Sequence, residues 1–445
     1  MNPYLKFGTK TAYEFVYERP RLRDQKILDC EPVQIWMLAR HGTRYPGRKS
    51  IRELSQLQHL KVEIIRNHEE LKNGRLCYAD INTLKSWSFN VKMSDANLLT
   101  KQGYSDLYFL AKRLKTKYQS FFQKGYSPNL FRFRHTDSER TRQSAQAFAE
   151  GLFEPNQGVW IPPAVVNDTI IKPYENCTHW IKQVKDNPMN QKETELFKLT
   201  EDMQTLVHNV SSRLGFLYDL SVDTIETIYD MCRFDKSWNL NDRSPWCAAF
   251  TRSELRTLEY LEDIQAYYDS GYGDDLNLRL GCTTVKDMLE GFRHFPDQEP
   301  MGKFYFSHAS VLLMTLARLG IANHGIPLRH DNFQEQKNRD WKTSELSPFA
   351  ANLIAVFYKQ VLELCFDTFM FFVNERRIDY EGCDVGLCSW SYIRDKFDDV
   401  FESCNLEWCK SRGGSFIYFQ NSIFYWILCQ IIILVFKSSV KIFNS

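Results

Sequence analysis

The sequence has almost no charge bias: 56 Lys and Arg against 55 Asp and Glu leave a net +1 over 445 residues. Such a balance excludes a global field for nucleic acid or an acidic membrane, so any anion site must be local, built from a few convergent arginines. There is no H-E-x-x-H pair and no C-x-x-C spacing. The common metal constellations are thereby missing, and neither a metal nor another cofactor is implied. Internal repeats, heptad runs and long low-complexity segments are also absent, which removes solenoids, coiled coils and disordered tails as the main architecture. Met1 to Lys6 has no apolar run of the kind a signal peptide carries.

Cysteine is plentiful. Twelve cysteines suit an oxidised, secreted protein better than a cytosolic one. Three sequons, starting at Asn167, Asn176 and Asn209, point the same way. At 445 residues the chain exceeds one ordinary core, so one large domain with an insertion, or two domains, is expected. Phe416 to Phe436 is strongly apolar; as a helix it would span roughly 30 Å, about one hydrocarbon core. A C-terminal membrane segment over 416–436, and membrane attachment through it, is therefore an expectation.

One string concentrates chemistry. Val33 to Leu38 has the length and β-branched content of a buried strand. Ala39-Arg40-His41-Gly42-Thr43-Arg44-Tyr45-Pro46 follows it, with Gly42, Thr43 and Pro46 reading as the turn that ends the strand. A neutral imidazole between two guanidiniums suits in-line attack on phosphorus. Its free ring nitrogen can accept a phosphoryl group, and arginine holds oxyanions with a planar fork that never loses its charge.

This string resembles the opening signature of branch two of the histidine phosphatases, the acid phosphatase and phytase group. Phe7-Gly8-Thr9-Lys10-Thr11-Ala12-Tyr13 is similar to the N-terminal signature of the multiple inositol-polyphosphate phosphatases. Ser138-Glu139-Arg140-Thr141-Arg142-Gln143-Ser144 resembles the group's second block, and Ser244 to Cys247, Gly271 to Gly273, Phe306 to Ala309 and Pro348 to Leu353 follow in the family's order. Because the signature begins almost at Met1, a leader upstream of this sequence is expected, with a destination in the secretory pathway, the ER lumen or the cell surface.

The resemblance implies an α/β fold: a histidine-phosphatase core sheet flanked by helices, with an inserted, mainly helical cap. The core is expected over 28–155 and 291–400 and the cap over 156–290. Local patterning agrees, with strands near Leu130 to Arg134 and Lys303 to Phe306, a helix capped by Thr100, another from about Arg140 to Gly151, and a third ending at Gly320. His41 and His308 then sit at two strand tips of one parallel sheet and face one crevice. Lys112-Arg113-Leu114-Lys115 reads as a solvated helix face.

By the same resemblance His41 is the nucleophile, Arg40, Arg44 and Arg140 clamp the phosphoryl oxygens, and His308 adds a donor. Arg134 and His135 stand near enough to be lesser candidates. The substrate implied is a small phosphorylated molecule, an inositol polyphosphate. One position departs from the pattern. The family follows the second histidine with Ala-Glu, whose Glu protonates the leaving alkoxide, whereas this chain has His308-Ala309-Ser310. Serine is too weak an acid, and losing a general acid costs ~10²–10⁴ in rate. Two readings result: an inositol-polyphosphate phosphatase that is slow or uses a substitute acid, or a phosphate-binding relative with a surface or adhesion-type role. Ser310 speaks against the first, and the intact Arg40, His41, Arg44, Arg140 and His308 against the second.

For the cysteines, short spacing suggests Cys232–Cys247 and Cys404–Cys409. The family pattern implies Cys30–Cys365 and Cys177–Cys282. Cys383 and Cys388 can close a further small loop, and Cys429 lies in the apolar tail.

Overall fold

The computed structural model describes residues 2–19, 30–154, 157–297, 299–360 and 367–410. Its centre is a mixed sheet of seven strands: β1 (Cys30–Arg40), β2 (Phe131–His135), β3 (Gly302–Ser307), β4 (Asn352–Gln360), β5 (Thr368–Val373), β6 (Arg376–Arg377) and β7 (Leu387–Ser389). The strands run in the order β2-β3-β1-β4-β5-β6, with β7 also paired to β5. β1 and β2 flank β3 in parallel, while β4 and β5 are antiparallel. The sheet is therefore mixed rather than parallel throughout, but the three strands that carry the signature blocks do run the same way.

The unbroken apolar run in β1 has a simple cause. Side chains alternate across a strand, and both faces of this one are covered. Ile35, Met37 and Ala39 pack into one cluster with Leu107, Leu110, Phe148 and Leu152. Those come from α1 (Lys101–Lys117) and α2 (Glu139–Leu152). Trp36 and Leu38 join the other cluster with residues of α3 (Val222–Trp238), α4 (Arg252–Ser270), α5 (Asp275–Arg293) and α6 (Ala309–Arg318). This second cluster includes Ile225, Leu258, Met288, Phe292 and Leu312 and is continuous from the sheet into the helical segment between β2 and β3.

Thr100 caps α1: its hydroxyl accepts from the Gly103 N–H at 3.0 Å. The basic stretch on α1 is not simply solvated. Arg113 forks onto Glu375 at 2.9 Å and stacks on Tyr17, because the N-terminal segment and the β5–β6 turn both pack there.

Disulfides join Cys232–Cys247 and Cys383–Cys388, as the spacing suggests. The other expectations among the described residues fail. Cys177 bonds Cys409, and Cys282 bonds Cys404. The short segment carrying Cys404 and Cys409 packs against α5 and the turn after Cys177, so each sulfur meets a different partner instead of its sequence neighbour. Cys365 and Cys429, and the apolar stretch 416–436, lie outside the described residues. No helix among the described residues is long and apolar enough to cross a membrane.

Candidate active site

β1 delivers His41 to the C-terminal edge of the sheet. There its backbone is held on both sides: the His41 N–H donates to Ser307 O at 3.0 Å, and Ala350 N–H donates to His41 O at 3.0 Å. β3 ends beside it, so His308 faces His41 with ring centroids 5.7 Å apart. This is the juxtaposition expected of two neighbouring parallel strand tips.

The loop after β1 is compressed against α1. A Cβ on Gly42 would sit 2.1 Å from the carbonyl oxygen of Gly103, and one on Gly103 the same distance from that of Thr43. Only glycine at both positions allows this approach. Asp106 then accepts from Thr43 N–H at 3.2 Å and from its hydroxyl at 2.8 Å. Burial raises the Asp106 carboxyl to about 6, against these hydrogen bonds. The Ser144 hydroxyl accepts from Gly42 N–H at 3.1 Å and donates to Arg140 O at 2.7 Å, stitching the first signature block to the second.

Hydrogen bonding fixes the histidine tautomers. Nδ1 of His41 lies 2.8 Å from the Gly42 carbonyl, which can only accept, so Nδ1 carries the proton and Nε2 is left with a free lone pair. Burial, then Arg40, His308 and the other arginines, hold His41 well below the ordinary histidine range, keeping it neutral. His308 behaves likewise. Arg140 donates to its Nδ1 at 3.3 Å and Thr136 Oγ1 lies 3.1 Å from its Nε2, so Nε2 carries the proton. Burial first, then Arg140, lowers His308 to about 3.

Among the described residues none of the three arginines forms an ion pair, although Asp230 favours the charge on Arg44 and Asp137 that on Arg140. Arg40 spends Nη1 on the carbonyls of Thr9 and Ser347 and lies 4.6 Å from the centre of the Phe349 ring. The Nε atoms of Arg40 and Arg140 are buried without a hydrogen-bond partner among the described residues. Arg44 donates to the carbonyl of Tyr45 at 2.8 Å. Each of the three is destabilised as a cation by burial, and Arg40 and Arg44 also by neighbouring arginines. Guanidiniums stay charged at any working pH. Buried donors converging on a neutral imidazole form a seat for an oxyanion.

His41, His308, Arg40, Arg44 and Arg140 thus come together. Ser310, at the start of α6, lines an adjoining cavity of about 1010 Å³, shared with Thr9, Lys10, Asp230, Arg233 and Glu262. Arg134 is directed elsewhere: its Nε donates to buried Asp168 at 2.6 Å. His135 is buried, with Nδ1 2.6 Å from the Thr136 carbonyl. Asp106, Ser144 and Thr136 are functional supports that sequence reasoning missed. For Asp106 a signal was present, an acid beside the apolar stripe of a capped helix.

Residues 33–373 match the histidine phosphatase superfamily, branch 2. Across 418 residues the chain is 35% identical to multiple inositol polyphosphate phosphatase 1 of Drosophila melanogaster, covering 92% of this chain and 88% of that protein. The chain belongs to the multiple inositol polyphosphate phosphatases. The human member of this histidine acid phosphatase family is 29% identical, over 91% of this chain and 88% of its own. Two solved structures share the fold. Phytase from D. castellii superposes with a TM-score of 0.71 at 17% identity, over 93% of this chain and 89% of its own. The Bifidobacterium longum multiple inositol polyphosphate phosphatase, in complex with inositol hexasulfate, gives 0.65 at 14%, over 89% and 97%.

Proposed function

We propose that this protein hydrolyses phosphomonoesters of inositol polyphosphates, with His41 as the nucleophile. Nε2 of His41 attacks phosphorus, the alcohol leaves, and water then hydrolyses the phosphohistidine. Arg40, Arg44 and Arg140 hold the phosphoryl oxygens. His308 accepts from Arg140 at Nδ1 and so orients that guanidinium. Phosphoryl transfer needs this positioning and spread positive charge more than covalent help. The observation that carries the reading is the tautomer of His41, neutral and with Nε2 free, set among three arginines. We further read 28–155 and 291–400 as the phosphatase core and 156–290 as its cap. Disulfides and exposed asparagines at all three sequons support a route through the secretory pathway, with 416–436 as a candidate anchor.

Ser310 alone favours a second reading, phosphate binding without turnover. Phosphate release from inositol hexakisphosphate and its lower homologues decides between them. Turnover is expected, falling to background in His41→Ala and by about 10²–10³ in Arg140→Ala, the usual loss for one oxyanion donor. Binding without release by the unaltered protein, or release undiminished in His41→Ala, would overturn the proposal.

A further inference from the structure

If His41 is the nucleophile, a proton must still reach the departing alkoxide, and Ser310 cannot supply it. An acid that replaces it must stand on the side of the phosphoryl site that residue 310 faces, which is the cavity shared by α3, α4, the start of α6 and the turn Gly8–Lys10. Of the acids that line it, Glu226 pairs with Lys198 at 3.3 Å and Asp269 accepts from Asn190 and Gln191, while the polar groups beside the turn Gly8–Lys10 differ in whether they have a proton to give. Asp230 is bracketed by Arg233 and by Lys10, whose Nζ is 3.4 Å away, and those cations hold its carboxyl below the ordinary range. Glu262 accepts from the Thr9 N–H at 2.9 Å, from the Thr9 hydroxyl and from Arg233, so its oxygens are occupied as acceptors. Arg233, fixed by Asp230, Glu262 and the Phe7 carbonyl, does not give up a proton at any working pH.

We propose that Lys10 is the general acid of this enzyme, its ammonium group protonating the leaving oxygen in the place that Ser310 vacates.

Its backbone is built into the site. The carbonyl of Thr9 accepts from Arg40, the residue before the nucleophile, and Thr11 O accepts from Phe349 N–H at 3.0 Å. Gly8 makes the turn possible: its φ is +52°, and a Cβ would lie 2.5 Å from the Glu262 carboxylate. The side chain is mostly buried, 19% exposed, with the ring of Phe234 5.7 Å from Nζ. The charged groups facing it are Asp230 and Arg233 of α3 and Arg44 of the nucleophile loop. Burial, then Arg233 and Arg44, lower the ammonium to about 7 while Asp230 opposes them. An acid matched to neutral pH both gives its proton and recovers it.

The step balances. Nε2 of His41 forms a bond to phosphorus as the P–O bond to the inositol carbon breaks. The electron pair stays on that oxygen, which takes a proton from Lys10 Nζ and leaves as the alcohol. Water then hydrolyses the phosphohistidine and keeps its protons on the released phosphate, while the neutral amine regains a proton from solvent, restoring the ammonium.

Lys10→Arg keeps the charge beside Asp230 but removes the transferable proton. Turnover of an inositol phosphate, whose alkoxide needs protonation, is expected to fall by about 10²–10⁴. Turnover of p-nitrophenyl phosphate, whose leaving group departs without help, should change little, and its retention reports a folded, phosphorylatable site. The fall in kcat/KM for the inositol phosphate as pH rises through about 7 should vanish in the variant. Adding Ser310→Glu to Lys10→Arg should restore the inositol phosphate rate alone. An unchanged ratio of the two substrates in Lys10→Arg, or equal losses on both, would overturn the assignment to Lys10. His41-dependent turnover of the aryl ester would still uphold the proposed function in that case. Absence of all turnover in the unaltered protein would overturn both.

Discussion

At His41 the two ring nitrogens have separate duties: one proton is tied to the Gly42 carbonyl, and the other nitrogen is kept bare by burial and by the arginines. His308 is held neutral in the same way. Both have folded-state values depressed below the 6.5 of an unperturbed histidine. The unfolded chain therefore binds more protons than the folded one as pH falls below about 6.5. Stability from these residues is present above that pH and is lost progressively toward about 3. Thermal unfolding followed from pH 7 to pH 4 in the unliganded protein should show this decline. His308→Asn, which cannot gain the proton in either state, should flatten it; an unaltered slope would mean that His308 is not held neutral.

The loop after β1 is gripped by the helices around it. Gly42 and Gly103 let α1 close onto the loop, and Asp106 and Ser144 pin it from two helices. Gly103→Ala must push the Thr43 carbonyl away, an overpacking that costs typically 1–3 kcal/mol. Ser144→Ala strands the buried Gly42 N–H, which costs about 1–3 kcal/mol. Both should lower turnover of alkyl and aryl phosphates alike, since they displace His41 itself, and chemical denaturation gives the stability change. β1, β2, β3 and the helices α1, α2 and α6 were legible in the sequence because their apolar periods and caps are local. His41, Arg44 and Arg140 were legible through the blocks that hold them. Ser144 and Asp106 were not, although Ser144 stands inside a recognised block: their work depends on which backbone N–H faces them after folding. The same holds for Lys10, whose partner Asp230 is remote in the chain.

Over the whole molecule, cross-links and charge set the terms. Cys404 and Cys409 are five positions apart, yet they staple the C-terminal segment to Cys282 and Cys177, at separations of 122 and 232 residues. Proximity in sequence lets two cysteines meet; the packing of the segment decides whether they do. A non-reducing digest should yield the Cys177–Cys409 and Cys282–Cys404 peptides. Opening either bond with paired serines should cost about 2–5 kcal/mol, and opening both less than the sum, because the two loops overlap. The three arginines, by contrast, carry charge with no counter-ion pair among the described residues. Anion binding should therefore raise the melting temperature, by the linkage of ligand to the folded state, and Arg140→Ala should weaken the effect.

All of this turns on a covalent bond at one atom. Rapid mixing with a ³²P-labelled inositol phosphate, followed by alkaline quench and peptide mapping, looks for that bond directly. The account predicts acid-labile, alkali-stable label on the peptide carrying His41, formed within the first turnover and absent from His41→Ala. Label on any other residue, or turnover with no phosphohistidine at any time point, would contradict it.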